Sequence, residues 1–94
     1  MARYFEWDRR KAKSNLRKHG ISFEDASKVF DDIHSCDEDE NDEHEVRWKT
    51  TGQVGRALIV VVHTTREEEG VEIIRIISAR TATRRERRRY EENS

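Results

Sequence analysis

Arg75 sits inside the apolar run VEIIRIIS, and six more arginines follow it by Arg89, with Glu86 the one acid among them. A guanidinium stays charged and presents a planar fork of donors that matches phosphate or carboxylate oxygens two at a time. Between isoleucines that charge is costly unless it reaches a carboxylate partner or an open cleft. In strict alternation Arg75 shares a strand face with Val71, Ile73 and Ile77. Two readings follow. Either a salt bridge neutralises it, to Glu72 of a neighbouring register or to the acidic segment earlier in the chain, or it faces a binding site. The five arginines within positions 84–89 pose the same question more strongly, and they suit phosphate or an acidic partner surface.

The whole chain carries a formal net charge of -1, so the positive charge is local. From Arg9 to Lys18 there are six bases and no acid, and from Asp37 to Glu45 seven acids and no Lys or Arg. If the two basic ends meet in the fold, they make one basic surface. His34, Cys36 and His44 lie among the acids, but their spacing fits no zinc pattern. A mobile, solvated acidic loop is expected there, with no metal and no cofactor. Its charge suits contact with a basic partner segment or mimicry of nucleic acid.

The elements that position these residues show in the local signals. RYFEW (Arg3–Trp7) reads as a first strand. Asp8 suits an N-cap for the helix RRKAKSNLRKH, and Gly20 suits its stop. Ser22 with Asp25 resembles a capping box for a second helix, whose apolar face is Phe23, Ala26, Val29 and Phe30. A short edge strand is expected around Ile33–Cys36, and HEVRWKTTG reads as another strand. Gln53–Arg56 reads as a hairpin turn. The β-branched runs Ala57–Thr65 and Val71–Ser78 read as central strands, joined by a turn at REEEG. Thr83 with Glu86 is a capping box for a last helix, Arg84 to about Glu92.

The order β-α-α-β-β-β-β-α predicts an α+β fold: a small antiparallel sheet, two N-terminal helices on one face, and a short C-terminal helix. The opposite face is then the more exposed one, where a site can sit. At 94 residues the chain is expected to be one domain, 1–94. Apolar residues are 33% and charged residues 41%, so its core is small and a stabilising partner is expected. A lone cysteine fits a reducing compartment. No run reaches the length of a membrane span, and MARYFEWDRR lacks the apolar stretch of a signal peptide. A cytoplasmic protein is the expectation.

FEWDRRKAKSNLRKHGISFEDASKVF, GRALIVVVHT and RIISARTATRRERRRYEE together resemble the BrnT family of toxins from type II toxin–antitoxin pairs. The resemblance covers nearly the whole chain. It is most specific in KHGISFEDA and in RIISAR followed by ERRRYEE. It implies a RelE-like fold and a metal-independent endoribonuclease that halts translation. It also implies a cognate antitoxin of the BrnA type, with a DNA-binding part, that neutralises the toxin and represses the operon. The expected assembly is a 2:2 hetero-oligomer that touches operator DNA only through the antitoxin.

Under that resemblance the candidate catalytic residues are His19, Arg66, Arg75 and Arg80. Cations aimed at the phosphoryl oxygens stabilise the charge gained in the transition state. His19 closes the first helix, where the helix dipole favours a cation, which suits a general acid or a plain C-capping histidine. Arg80 is a phosphate contact or a solvated loop residue. Arg66 and Arg80 flank one end of the two central strands, or a hairpin sets Arg66 near Val71. Lys11, Lys18, Arg84, Arg85 and Arg88 are candidates for RNA binding, and the alternative for each is plain solvent exposure. The competing class is a non-catalytic module that binds nucleic acid or the antitoxin.

Overall fold

The computed structural model describes residues 2–93. Its elements are β1 (Ala2–Trp7), α1 (Arg9–His19), α2 (Phe23–Ala26) running into a 3-10 segment (Ser27–Asp31), β2 (Cys36–Asp39), β3 (Trp48–Val54), β4 (Ala57–Glu68), β5 (Val71–Thr81) and α3 (Arg84–Asn93). The caps form as the residues suggest. The Asp8 carboxylate accepts from the backbone N–H groups of Arg10 and Lys11, and Gly20 stops α1 at φ 71°. Ser22 Oγ accepts from Asp25 N at 3.0 Å. The Thr83–Glu86 box closes both ways, with Thr83 N donating to Glu86 Oε1 at 2.8 Å and Glu86 N to Thr83 Oγ1 at 3.2 Å.

The strands form a single sheet in the order β1-β5-β4-β3-β2. From β2 to β5 it is an antiparallel meander, but β1 lies parallel to β5, with Ala2 opposite Val71 and Trp7 opposite Ile76. The sheet is therefore mixed, not wholly antiparallel. Parallel strands need a long connection, and everything from α1 to β4 supplies it. The pairing sets Phe5 opposite Ile74 and Trp7 opposite Ile76, so β1 adds two aromatics to the buried face.

Other boundaries move as well. The edge strand is Cys36–Asp39, while Ile33 lies in the preceding turn, 91% exposed. Acids can sit on this strand because β3 answers two of the three: Lys49 Nζ reaches Glu38 at 3.4 Å and Thr50 Oγ1 donates to Asp37 at 2.7 Å. The acidic loop shrinks to the hairpin tip, where Asp42 Oδ1 accepts from the N–H groups of His44 and Glu45. β3 begins at Trp48, not His44. β4 continues through Arg66 to Glu68, so the expected REEEG turn narrows to Glu69 and Gly70, both at positive φ.

Phe23, Ala26 and Val29 from the helical segments pack on Ile59, Val61, Ile74, Ile76 and Ala79 of one sheet face. β3 passes so close that a Cβ on Gly52 would stand 2.5 Å from Val29 Cγ2, so only glycine fits. α3 crosses the other face and leaves Val60 and Leu58 buried. The rest of that face, towards β1 and the β4–β5 turn, stays open.

Candidate functional site

The register of β4 against β5 shifts between Val62 and His63: Ser78 lies opposite Val62, Ile76 opposite His63, and Ile77 falls outside the pairing. Arg75 and Arg80 are five positions apart, and an unbroken strand would point them to opposite faces. The bulge adds one residue. Arg75 then stands opposite Thr64 and Arg80 opposite Val60, so both belong to the face that α3 half covers. Ile77, expected beside Arg75 by strict alternation, is displaced, and Ser78 joins that face instead.

α1 is fixed against this bulge. Asn15, 6% exposed, donates from Nδ2 to Ala79 O at 2.8 Å and to Ile21 O at 3.1 Å, and its Oδ1 accepts from Ala79 N at 3.0 Å. The amide pairs with β5 beyond the end of β1, as a further strand would. Along this seam lies a groove of about 270 Å³, lined by Lys11, Ser14, Lys18 and His19 from α1 and by Ile77 and Ser78 from β5, with Asn15 at its base. The helix RRKAKSNLRKH carries six Lys and Arg residues and no acid, and among the described residues none of the six enters a salt bridge. Lys11, Lys18 and His19 are exposed.

The partner of Arg75 is neither Glu72 nor the acidic segment. Glu6 stands directly opposite it on β1, and Arg75 Nη1 donates to Glu6 Oε2 at 3.0 Å. Arg66 grips the same carboxylate with both Nη atoms, at 3.1 and 3.0 Å. Hydrogen bonds from Arg66 and then Arg75 hold the Glu6 carboxyl below its ordinary value, against the smaller effect of burial. Glu72 is taken by Arg3 at 2.8 Å. β4 and β5 form a hairpin that puts Arg66 opposite Ile73. Arg66 and Arg80 therefore do not flank one end: Arg66 lies six positions along β4 from Val60, the partner of Arg80, or roughly 20 Å at about 3.3 Å per residue.

Arg80 is held by Glu86, which is 2% exposed. Its Nη1 and Nη2 donate to the two carboxylate oxygens at 2.7 and 2.9 Å. Lys49 Nζ reaches Glu86 Oε2 at 2.8 Å. Glu86 titrates far below the usual carboxylate range, first because of Arg80, against the cost of burial, with Lys49 and Thr83 adding to the effect. Burial works against the Lys49 ammonium, yet its bonds to Glu86 and Glu38 outweigh that and raise its pKa.

α3 is thus seated by its own fold and needs neither solvent nor a partner to hold it. Tyr90 Oη donates to Asp32 Oδ2 at 2.6 Å, and Arg89 donates to Asp37 O at 3.3 Å. Arg85 and Arg89 each approach Glu38 at 3.7 Å. Arg84, Arg87 and Arg88 point outward and make no salt bridge among the described residues.

The structure therefore gathers Lys11, Lys18 and His19 in one groove, with Arg75 and Arg80 on β5 to either side of its bulge. Arg66 lies further off, coupled to Arg75 through Glu6. His34, Cys36 and His44 do not meet. Among the described residues no three His, Cys, Asp or Glu side chains form a group able to hold a metal ion. Among the described residues no helix is long and apolar enough to cross a membrane. Sequence reasoning missed Glu6, Asn15 and Lys49. Asn15 carried a signal, because asparagine inside a helix is poorly favoured and needs a reason.

A family model described as a ribonuclease toxin, BrnT, of type II toxin–antitoxin systems matches residues 7–86. No curated protein matches the chain.

Proposed function

The chain belongs to the BrnT family of ribonuclease toxins of type II toxin–antitoxin systems, and from that premise we propose that it cleaves RNA without a metal ion at the groove between α1 and the β5 bulge. The observation that carries this reading is the bulge itself. It turns Arg75 and Arg80 to one face and brings Ser78 against a helix whose cations have no carboxylate partner among the described residues. In the reaction a ribose 2′ oxygen attacks the adjacent phosphorus, the bond to the 5′ oxygen breaks, and a 2′,3′-cyclic phosphate and a 5′-hydroxyl result. The 2′-OH loses a proton and the 5′ oxygen gains one. Histidine is the residue type that exchanges a proton near neutrality, and His19 lines the groove. Glu6 is a poor proton acceptor, because two arginines favour its ionised form. Its role is to fix the guanidinium of Arg75, with Arg66 as the second brace. Arg75 and the remaining donors of Arg80 face the phosphoryl oxygens. Lys11 and Lys18 hold the backbone at the groove, and Arg84, Arg85 and Arg88 dock RNA further out.

The partner in this reading is an antitoxin of the BrnA type with a DNA-binding part. It joins the toxin in a 2:2 complex in the cytoplasm and covers the basic face with an acidic helical segment. A second reading, a non-catalytic module that binds nucleic acid or the antitoxin, draws on one observation: Arg66, Arg75 and Arg80 all spend donors on carboxylates. Incubation with free and with ribosome-bound mRNA, chelator present, separates the two. Cleavage that leaves cyclic phosphate ends, and that stops when the residue before the cut is 2′-deoxy, supports catalysis. Binding without cleavage supports the module.

A further inference from the structure

The far flank of α1 carries a second concavity, of about 560 Å³, on the helix-covered side of the sheet. Trp7, Leu16, Arg9 and Lys13 line it, and Phe23, which also borders it, is fully buried. Trp7 meets Phe23 edge to face at 5.9 Å and is only half buried, so part of its indole borders the opening. Leu16 is 51% exposed, an apolar side chain left in water on an otherwise charged helix. Arg9 and Lys13 are exposed and take part in no salt bridge among the described residues. An aromatic wall, an aliphatic wall and two unneutralised cations match one chemical object: a splayed nucleobase with its flanking phosphates. Glu24, which also lines the pocket, offers only acceptors, so it suits the N–H edge of a base and not the backbone.

We infer that the pocket of Trp7 and Leu16 takes an unstacked base of single-stranded RNA, so that the substrate crosses α1 from this pocket to the groove at Lys11 and Lys18. The inference rests on the ribonuclease reading for the identity of the nucleic acid, and its test does not use cleavage. The chain has two tryptophans, so Trp48→Phe leaves Trp7 as the sole indole reporter. Titration of that folded variant with a single-stranded 2′-O-methyl oligonucleotide, which 2′-OH chemistry cannot cut, is expected to quench Trp7 emission. An abasic oligonucleotide of equal length should quench far less.

Leu16→Glu puts a charge on the pocket wall at a half-exposed position and should weaken binding about 5- to 150-fold, the range of one lost base stack. Lys13→Gln should lower the slope of log affinity against log salt by about 0.7. Quenching as strong with the abasic strand, or unchanged affinity in Leu16→Glu, overturns the proposal. A nucleoside monophosphate that binds as tightly as the strand also overturns it, as does Trp7 emission that responds to the antitoxin but not to RNA. If Trp7 responds as expected while no RNA is ever cut, the pocket stands and the catalytic reading falls.

Discussion

Arg80 and Glu86 meet through paired hydrogen bonds of 2.7 and 2.9 Å, and this pairing fastens α3 to the sheet. Glu86 is the capping residue of α3, so the same carboxylate closes the helix and anchors it. Arg80→Ala leaves a buried carboxylate with Lys49 as its remaining cation. Removing one partner of a buried pair costs about 3–5 kcal/mol. The loss here should be smaller, about 2 kcal/mol, because Arg80 is 34% exposed and Lys49 remains. Urea unfolding of Arg80→Ala and of Arg80→Ala/Glu86→Gln checks it. The double variant should recover part of the loss. Lost toxicity in Arg80→Ala counts as catalytic only at a temperature where the variant is folded.

Arg75 allows a cleaner test. It is half exposed and its carboxylate partner keeps Arg66. Arg75→Ala should change the melting temperature little while lowering the cleavage rate about 10²–10³-fold, the usual cost of a lost donor at a developing oxyanion. Growth arrest by the chain expressed without its antitoxin should be relieved in parallel. A folded, fully toxic Arg75→Ala would remove Arg75 from the site.

Much of this was legible in the residues. Asp8, Gly20, Ser22 and Thr83 marked the helix ends because capping is local chemistry, decided within four residues. Arg75 announced itself because a charge among isoleucines always requires an answer. Who gave the answer was not legible. Glu6 lies 69 positions away, on a strand whose parallel pairing no alternation pattern encodes. The bulge was hidden for a related reason: Ile77 and Ser78 look like ordinary strand residues, and only the pairing with Val62 and His63 reveals the extra one. The acids of β2 read as loop because their cations, Lys49 and Arg89, arrive from β3 and α3.

Cleavage should survive EDTA. The phosphate-facing charges in this reading are side-chain cations, which a chelator does not remove. The check is the cleavage rate before and after chelation. Loss restored by Zn²⁺ or Mg²⁺ would mean that a metal completes the site.

Acid should weaken the fold in two stages. Thr50 donates its hydroxyl hydrogen to Asp37 at 2.7 Å, so it accepts from His63 Nε2 at 2.8 Å. That sets the ring proton on Nε2 and leaves Nδ1 buried with no well-formed hydrogen bond among the described residues, in a ring stacked edge to face on Phe30 at 4.9 Å. Burial pushes the His63 pKa below its ordinary 6.5, against the pull of Asp37 and of the Thr64 backbone. The unfolded chain then takes up the proton first, so stability falls as pH drops through 6.5 and goes on falling until the folded ring is protonated. Glu86 is depressed from its ordinary 4.5, so its contribution is complete above that pH and is lost further down. Urea midpoints between pH 8 and pH 3, those pH limits being about the neutral range and the acid limb, should show both stages. His63→Gln keeps a donor to Thr50 and should abolish the upper one alone.

The outward arginines of α3 should govern docking of the antitoxin, not folding. Arg85 and Arg89 are engaged with Glu38, whereas Arg84, Arg87 and Arg88 face solvent without a carboxylate partner among the described residues. Replacing these three with Gln should therefore move the melting temperature of the free toxin by no more than about 4 °C, as surface changes usually cost less than about 0.5 kcal/mol and 1 kcal/mol corresponds to about 4–8 °C at this size. The complex is another matter. If an acidic segment lies over this face, it loses three charge contacts, and its affinity becomes both weaker and less sensitive to salt. Binding to the folded state also stabilises it, by about 2.7 kcal/mol at a hundredfold excess over the dissociation constant. The wild-type complex should then melt well above the free toxin, and the variant complex should keep less of that gain. Affinity measured at two ionic strengths for both forms decides it. Unchanged affinity with an unchanged salt dependence would place the antitoxin elsewhere, and the open face around Glu6 and Arg75 would be the next surface to test.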